Sequence, residues 1–437
     1  MTKVLVSITA DPLSIGHLNL IDAAAQLGPV HVAVLSDQAC QGNRQQPAQS
    51  LGQRVALVAA LKPVHAVLTQ QEWSYADTIL REKPTHFVHS DNWNFHDGAS
   101  IRQASLDALK SVGGQLVEVP YSQDAPWTPT QHPDGALPEA RRRSLSNLLT
   151  FGRPLAFMEA HSPLSALILE KYRTVHGRKS DNAIAGFDGI WSSSLSDSTV
   201  RGVPDTEKLE FSQRMTNIQE IFQSSTLPLI YDADTGGQPE HLQQNIRQME
   251  SSGISACIIE DKTGLKRNSL FGNEVAQTQD SIEAFSEKIT TAVRARDTTD
   301  FMVFARIESL ILDKGLADAR ARASAYLEAG ASGIMIHSRR REEDEIAEFS
   351  RQFKKDFPGT PLVLVPTSYN HLTLEQLGEL GADVVIFANH MLRASHQGME
   401  RAALSVLKNG RTLELDGEIT SVSETLSLIP ETRGMGN

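Results

Sequence analysis

The feature that most constrains the fold is a repeated alternation of short apolar runs with helix-like segments. Five such runs lie in residues 1–120, and eight more lie in residues 141–437. The runs of the second region are residues 156–159, 189–191, 229–232, 256–260, 302–306, 333–337, 362–366 and 383–388. Alternating strands and helices are typical of parallel sheets that helices cover. The sequence therefore predicts an α/β protein in which a Rossmann-like domain of five strands precedes a (β/α)8 barrel of the TIM type.

Residues 121–140 separate the two regions. They include Pro126, Pro129, Pro133, Pro138 and Gly135 and show no apolar periodicity. This composition is typical of a linker. We therefore expect one domain in residues 1–120 and another in residues 141–437, joined by a linker of residues 121–140.

The charge and the cysteine content argue against several classes of protein. With 41 basic and 53 acidic residues, the formal net charge is −12. A chain this acidic has no overall field for nucleic acid or for an anionic membrane surface, so we expect neither partner. Two cysteines, Cys40 and Cys257, cannot form a disulfide framework. The N-terminus lacks the form of a signal peptide, and no apolar run approaches the ~20 residues of a membrane span, so we expect a cytoplasmic protein.

Charged or aromatic residues end six of the eight apolar runs of the second region. These residues are Glu159, Trp191, Asp232, Glu260, Arg306 and His337. In a (β/α)8 barrel, the carboxyl ends of all strands meet at one mouth, where the chemistry takes place. Packing alone does not account for so many such residues at strand ends. The set therefore indicates an active site at the mouth.

Three carboxylates near these strand ends indicate a divalent cation. Asp232 and Asp234 share one turn, and Glu260 ends the next strand. Asp also forms turns without any ligand, but carboxylates around one mouth repel each other unless a cation such as Mg²⁺ balances them. Arg306 and His337 supply positive charge and hydrogen-bond donors. We therefore expect an anionic, phosphorylated substrate that Mg²⁺ chelates.

Residues 260–269, with the sequence EDKTGLKRNS, match the EDKxxxKxNS signature of phosphoenolpyruvate mutases. Blocks at residues 158–161, 189–191, 232–236, 305–308 and 337–338 follow in the order of that family. Residues 141–425 thus resemble this family, which belongs to the isocitrate lyase-like superfamily of barrels. The resemblance implies that the phosphoryl group of phosphoenolpyruvate moves from the enol oxygen to C3, which forms the carbon–phosphorus bond of phosphonopyruvate. This reaction would start phosphonate biosynthesis, including that of phosphonate antibiotics.

The resemblance also implies a set of metal ligands. Asp232 would bind Mg²⁺ directly, and Asp234, Glu260 and Asp205 would hold it through water molecules. Asp205 matches a family acid that is either a phosphoryl acceptor or an electrostatic guide, and both alternatives stay open.

The substrate-binding residues follow from the same resemblance. Ser193, with the backbone N–H groups of Ser194 and Leu195, would bind the carboxylate and enolate oxygens. Trp191 would form an apolar wall.

The remaining catalytic residues are also implied by position in the family. Arg306 and His337 would stabilise the migrating phosphoryl group. Lys262, Lys266 and Asn268 would lie on a loop that closes over the substrate and excludes water. A closing loop is needed because water would otherwise capture a metaphosphate-like group.

Two related activities share this fold. Isocitrate and methylisocitrate lyases use a catalytic cysteine, and the equivalent stretch of this chain contains none, which argues against a lyase. Phosphonopyruvate hydrolases share most of the metal and phosphate residues, but Asn268 favours a mutase over a hydrolase. The family precedent implies a homodimer or homotetramer and a downstream enzyme that consumes phosphonopyruvate.

The N-terminal region resembles cytidylyltransferase-type nucleotidyltransferases, as in bifunctional proteins of the fosfomycin pathway. Asp11, His17 and Asp91 match nucleotide-binding positions and Arg54 is a further match, whereas Ser14 stands where the first histidine of the HxGH motif belongs. The distal ISSTxI motif should follow residue 121, but the chain reads SQDAPWTPT there. The resemblance leaves two alternatives: a domain that transfers CMP to a phosphonate, or a relic that serves in binding or assembly.

Overall fold

The computed structural model describes residues 2–42, 47–91, 93, 98–119, 137–173, 184, 186–237, 239–263 and 277–429. The chain divides into two compact units, with the described residues up to 119 in the first and those from 137 onward in the second. Among these residues, no helix combines the length and apolar character needed to cross a lipid bilayer.

The first unit is a parallel sheet of five strands. The strands are β1 (Val4–Ile8), β2 (Val30–Leu35), β3 (Val64–Gln70), β4 (His86–Ser90) and β5 (Gln115–Val119), in the order β3-β2-β1-β4-β5. The helices are α1 (Ile15–Ala25), α2 (Asp37–Gly42), α3 (Leu51–Ala59), α4 (Ala76–Glu82) and α5 (Gly98–Val112). The strand order reverses between β1 and β4, which is where Rossmann-like sheets bind ligands. The predicted five-stranded sheet is confirmed.

The second unit is a closed parallel barrel of eight strands. In chain order these are β6 (Leu155–Glu159), β7 (Gly189–Ser192), β8 (Leu229–Asp232), β9 (Ala256–Glu260), β12 (Met302–Ile307), β13 (Gly333–Ile336), β14 (Leu362–Leu364) and β15 (Val384–Phe387). Two short strands, β10 (Lys262–Thr263) and β11 (Thr278–Gln279), form an antiparallel pair after β9. The barrel prediction is confirmed, and every strand overlaps the run that predicted it.

Helices follow or precede the barrel strands. They are α6 (Pro138–Leu149), α7 (Pro163–Lys171), α8 (Ser194–Val200), α9 (Phe211–Ser224), α10 (Pro239–Ser251), α11 (Ile282–Ala295), α12 (Gly315–Glu328), α13 (Asp344–Asp356), α14 (Leu374–Glu379), α15 (His390–Asn409) and α16 (Val422–Ser427), with a 3₁₀ turn at Leu413–Leu415. Helix α6 begins inside the segment predicted as a linker. Pro138 at the first position and Glu139 in the first turn both favour a helix start. The predicted linker therefore extends two or more residues too far, and its residues 121–136 lie outside the described residues.

Side chains of the barrel strands alternate between two hydrophobic clusters. Phe157, Ile230 and Phe304 pack together inside the barrel, whereas Ile190 and Ile259 pack against the surrounding helices. This period of two lets apolar side chains fill both faces of each strand. Within these strands, polar side chains therefore lie at or next to the carboxyl ends.

Candidate active site

A cavity opens at the carboxyl ends of the barrel strands. Its wall includes eight of the residues that the sequence predicted for the site: Trp191, Ser193, Ser194, Leu195, Asp205, Asp232, Arg306 and His337. These residues come from the ends of four strands, from the start of α8 and from the loop after α8. Met335, Val365 and Ile386 add an apolar floor, and Thr367 and Asn389 add polar groups that the sequence analysis did not select.

Asp232 is one of two carboxylates in the cavity wall, with Asp205. It is the last residue of β8, and its Oδ2 accepts hydrogen bonds from the backbone N–H of Ser194 at 3.3 Å and from Ser194 Oγ at 2.9 Å. Its Oδ1 accepts the backbone N–H of Asp234 at 3.3 Å. Both carboxylate oxygens are thus oriented by neighbouring groups.

Two of the other predicted metal ligands, Asp234 and Glu260, are not among the residues that line the cavity. Asp234 has a left-handed φ of 52°, and its Oδ2 lies 3.3 Å from Arg214 Nη1. Glu260 is buried, with Oε1 3.4 Å from Lys262 Nζ and Oε2 3.3 Å from Arg306 Nη2. Their carboxylates therefore make ion pairs within the protein.

The donor set is compatible with Mg²⁺. Within the described ranges, no three His, Cys, Asp or Glu side chains are grouped closely enough to form a metal cage. Mg²⁺ does not require such a cage, because it usually binds one or two carboxylates and keeps several waters. Asp232 and Asp205 both line the cavity and provide the hard oxygen ligands that this ion prefers.

Glu308 organises the basic side of the cavity. It is fully buried, and its Oε1 lies 2.6 Å from Arg306 Nε and 2.9 Å from His337 Nε2, while Lys262 Nζ is 3.5 Å from Oε2. Burial alone would raise the pKa of Glu308, but Arg306, His337 and Lys262 hold this pKa well below its usual value. Burial lowers the pKa of His337. Glu308 therefore stays ionised and fixes Arg306 at the mouth.

The predicted closing-loop residues have different outcomes. Lys262 is buried in β10, where its Nζ donates to Gln277 Oε1 at 3.2 Å in addition to its ion pairs with Glu260 and Glu308. It is not among the residues that line the cavity. Lys266 and Asn268 lie outside the described residues.

The sequence analysis missed two charged residues of this region. Glu308 belongs to a family block, but nothing in that block indicated that it contacts three basic groups. Its position two residues after Arg306, and so on the same face of the extended chain, was the available signal. Arg214 lies on α9, where a helical pattern does not distinguish a buried arginine from a solvated one.

The nucleotide-binding candidates of the first unit make structural contacts. The carboxylate of Asp11 accepts the backbone N–H groups of Ala48 and Gln49. Ser14 caps α1 and donates its backbone N–H to His17 Nδ1 at 3.1 Å, and burial lowers the pKa of His17 to about 4. Asp91 follows β4 and is exposed.

Arg54, another residue that matches the nucleotidyltransferase pattern, is fully buried. Its Nη1 donates to the carbonyls of Thr9 and Leu35 at 2.6 and 2.7 Å, and its Nη2 pairs with Asp37 at 2.6 Å. Through these contacts, Arg54 on α3 connects the carboxyl ends of β1 and β2 and the start of α2.

The closed parallel barrel, with a carboxylate, an arginine and a histidine fixed at its mouth by buried partners, defines an enzyme of the TIM-barrel class. Residues 145–407 match the model of the phosphoenolpyruvate phosphomutase family, which is more than half of the chain. The protein belongs to that family, within the superfamily that also contains the isocitrate lyases. Residues 9–116 match the cytidylyltransferase-like family, so the first unit is a cytidylyltransferase-like domain.

Relatives with different activities match about two thirds of the chain. A phosphonopyruvate hydrolase from Variovorax sp. (strain Pal2) is 37% identical over 291 residues, which are 66% of this chain and 94% of the relative. A phosphoenolpyruvate phosphomutase from Tetrahymena pyriformis is 31% identical over 286 residues, which are 65% of this chain and 89% of the relative. At these identities the family is clear, but mutase and hydrolase are not separated.

Solved structures show the same pair of activities. The crystal structure of the phosphoenolpyruvate phosphomutase from Streptomyces platensis subsp. rosaceus matches with a TM-score of 0.59 and 32% identity, covering 67% of this chain and 94% of that one. A phosphonopyruvate hydrolase in complex with oxalate and Mg²⁺ matches with a TM-score of 0.58 and 35% identity, covering 67% and 96%.

Proposed function

We propose that the second unit is a Mg²⁺-dependent phosphoenolpyruvate mutase that interconverts phosphoenolpyruvate and phosphonopyruvate. The observation that carries this proposal is the cavity wall in which Asp232 and Arg306 occur together, each held by a buried partner. This arrangement suits a small substrate with one end chelated by a cation and a phosphoryl group bound by an arginine. Asn268 in the signature favours rearrangement over hydrolysis.

The reaction is an intramolecular transfer that needs no second substrate. The bond between the enol oxygen and phosphorus breaks, the bond between phosphorus and C3 forms, and the enol oxygen becomes the ketone oxygen. The transition state is loose, so positioning and charge stabilisation dominate catalysis. Bound Mg²⁺ would neutralise the carboxylate and enolate oxygens.

The residues of this chain then have separate tasks. Asp232 would hold the ion directly, with Asp234, Glu260 and Asp205 acting through waters. Arg306 would bind the oxygens of the migrating phosphoryl group.

Binding and water exclusion complete these tasks. Ser193 and the N–H groups of Ser194 and Leu195 would bind the pyruvate end of the substrate, and Trp191 would wall off solvent. His337 would help Arg306 stabilise the phosphoryl group, and the signature residues Lys266 and Asn268 would exclude water.

Hydrolysis of phosphonopyruvate is the second candidate, because a hydrolase is 37% identical to this chain over 291 residues. ³¹P NMR of the protein with Mg²⁺ and phosphonopyruvate separates the two activities. The mutase proposal requires conversion to phosphoenolpyruvate. Release of inorganic phosphate would show a hydrolase, and an unchanged spectrum would contradict both.

Paired variants connect the activity to the mouth of the barrel. We expect D232N to lose turnover by at least about 10³-fold, since it removes the charge of the direct metal ligand. D188N is the matched control, because Asp188 is also a buried acid but lies at the amino end of β7, paired with Arg153. It should retain turnover. Equal loss in both variants would indicate a folding defect.

We further propose that the cytidylyltransferase-like domain does not transfer nucleotides. Ser14 replaces a phosphate-binding histidine, and His17 Nδ1 accepts a hydrogen bond from the backbone of Ser14 at the helix cap. The guanidinium of Arg54 already binds backbone carbonyls and Asp37. Incubation with CTP, Mg²⁺ and hydroxyethylphosphonate should release no pyrophosphate. Its release would instead support CMP transfer to a phosphonate.

We also propose that the protein is a homodimer or homotetramer. Helix α15 and the residues after it carry large exposed apolar side chains, including Met399, Leu404 and Leu407, the last of which is 81% exposed. An L407K variant should lower the mass measured by light scattering. L57K, at an exposed leucine of the first unit, should not.

A further inference from the structure

An ion pair between Arg214 and Asp197 lies next to the candidate metal ligands. Arg214 on α9 and Asp197 on α8 have side chains only 4% and 1% exposed, and Nε is 2.9 Å from Oδ2. Asp197 Oδ1 also accepts from Asn217 Nδ2 at 3.1 Å, and its Oδ2 accepts from Ser192 Oγ at 3.3 Å. A buried ion pair is weak evidence for stability, because desolvation offsets its attraction. Its remaining contacts indicate what it does.

The guanidinium of Arg214 bridges the ends of two neighbouring barrel strands. Its Nη1 donates to the main-chain carbonyl of Asp232 at 2.6 Å and lies 3.3 Å from Asp234 Oδ2. Its Nη2 donates to the carbonyl of Ser192 at 3.4 Å. The group also stacks on the Tyr231 ring, 4.1 Å from its centroid. One planar fork of donors therefore fixes the last residues of β7 and β8 and the turn after β8.

The same contacts determine where the Asp232 carboxylate points. Ser194 holds that carboxylate from the first residue of α8, and Asp197 joins α8 to Arg214. The backbone of Asp232 is bound by Arg214, and the side chain of Asp232 is bound by the helix that Arg214 anchors. Arg214 and α8 therefore fix both the backbone and the carboxylate of Asp232.

We propose that Arg214 and Asp197 are positioning residues that hold Asp232 and Asp234 in the geometry that binds Mg²⁺. This inference rests on the metal site of the proposed function. Arg214 does not line the cavity that contains Asp232, so it acts through the two carboxylates.

Charge and geometry predict opposite results for substitutions of Arg214. If Arg214 served only as a positive charge near three carboxylates, R214Q would tighten Mg²⁺ binding and R214K would match the wild type. A positioning role requires both variants to weaken binding, because neither lysine nor glutamine reaches the same set of acceptors. We expect the loss to be about tenfold, as for other groups that orient metal ligands.

Calorimetric titration of the full chain with Mg²⁺ in the presence of oxalate measures this affinity. R153Q is the matched control, because Arg153 makes two hydrogen bonds to Asp188, at 2.9 and 2.6 Å, at the opposite end of the barrel. It should lower the unfolding temperature without changing Mg²⁺ affinity. If both Arg214 variants fail to fold, D197N provides the test, with an expected loss of about tenfold.

Hydrogen exchange of the metal-free protein provides a readout that does not depend on the proposed activity. R214K and R214Q should speed exchange in a peptide covering residues 231–237, whereas R153Q should leave that peptide unchanged. If wild-type protein binds no Mg²⁺, the proposed function fails while the exchange data still decide whether Arg214 positions this segment. Wild-type Mg²⁺ affinity in R214K, or unchanged exchange in residues 231–237, would overturn the inference.

Discussion

Glu308 is buried between Arg306, His337 and Lys262, and each of these basic groups lies within 3.5 Å of one of its oxygens. An ionised carboxylate at this depth is stable only because its neighbours compensate for the lost hydration. Glu308 also holds the guanidinium of Arg306 in one position in the cavity wall. Glu308 therefore contributes to stability and, in the proposed function, to phosphoryl binding through Arg306.

We predict that E308Q lowers the free energy of unfolding by about 3–5 kcal/mol, since removing one partner leaves buried charges uncompensated. The pKa of Glu308 is held below its usual value of 4.5. The wild type therefore has this stabilisation above pH 4.5 and loses it as the pH falls through the folded-state pKa, and E308Q lacks this dependence. Urea unfolding at pH 7 and at pH 3 measures both effects. The control is E348Q, which breaks an exposed pair with Arg320 and should cost much less; equal losses would contradict the prediction.

Single residues differ in how far the sequence could predict them. Asp232, Arg306 and His337 directly follow or end apolar runs, so the barrel topology alone brings them to one mouth. Arg214 could not be found this way, because its contacts depend on which side of α9 faces the strand ends. The sequence predicts Asp234 and Glu260 near the mouth, but their pairing with Arg214 and Arg306 depends on side-chain geometry.

At the scale of elements, the barrel strands were predictable because each is a continuous apolar run that two hydrophobic clusters bury on both faces. The helix boundaries were harder to predict from the sequence. Helix α6 begins at Pro138, where the sequence looks like the end of a linker, and its Leu145 and Leu148 join the cluster inside the barrel. The composition of residues 121–140 predicts a linker, whereas the start of α6 depends on the packing of its apolar residues in the barrel.

Helix α1 makes its own stability depend on pH. Ser14 and His17 form a capping box, and burial lowers the pKa of His17 from 6.5 to about 4. The unfolded chain therefore binds more protons than the folded chain between pH 6.5 and pH 4. We predict that α1 loses at most about 3 kcal/mol of stability as the pH falls through that range. Below pH 4 the loss should stop. Hydrogen exchange of residues 15–25 at several pH values, corrected for the intrinsic rate, measures this change.

H17Q is the control for this prediction. Glutamine preserves a capping box at this position but does not titrate. Its α1 should show the same protection at pH 6.5 and pH 4. A wild-type profile without pH dependence, or an H17Q profile that keeps it, would show that His17 is not the group responsible.

At the scale of the whole molecule, the proposed chemistry belongs to one of the two units. Every candidate metal, substrate and catalytic residue of the mutase lies after residue 190, and the two large clusters that support the barrel consist of residues from 145 onward. The family match supports the same division, because residues 145–407, which match the phosphoenolpyruvate phosphomutase family, lie within the second unit. The matched hydrolase is shorter than this chain, since 291 aligned residues are 94% of its length.

We therefore predict that deletion of residues 1–136 preserves folding and turnover. The remaining chain contains α6 and all eight barrel strands, so its core is complete, and kcat/KM should stay within about threefold of the full chain. ³¹P NMR with Mg²⁺ and phosphonopyruvate measures the turnover, and circular dichroism verifies the fold. D232N in the shortened chain should abolish turnover, which excludes a contaminating activity. A folded but inactive shortened chain, beside an active full chain, would contradict the prediction and show that turnover depends on residues 1–136.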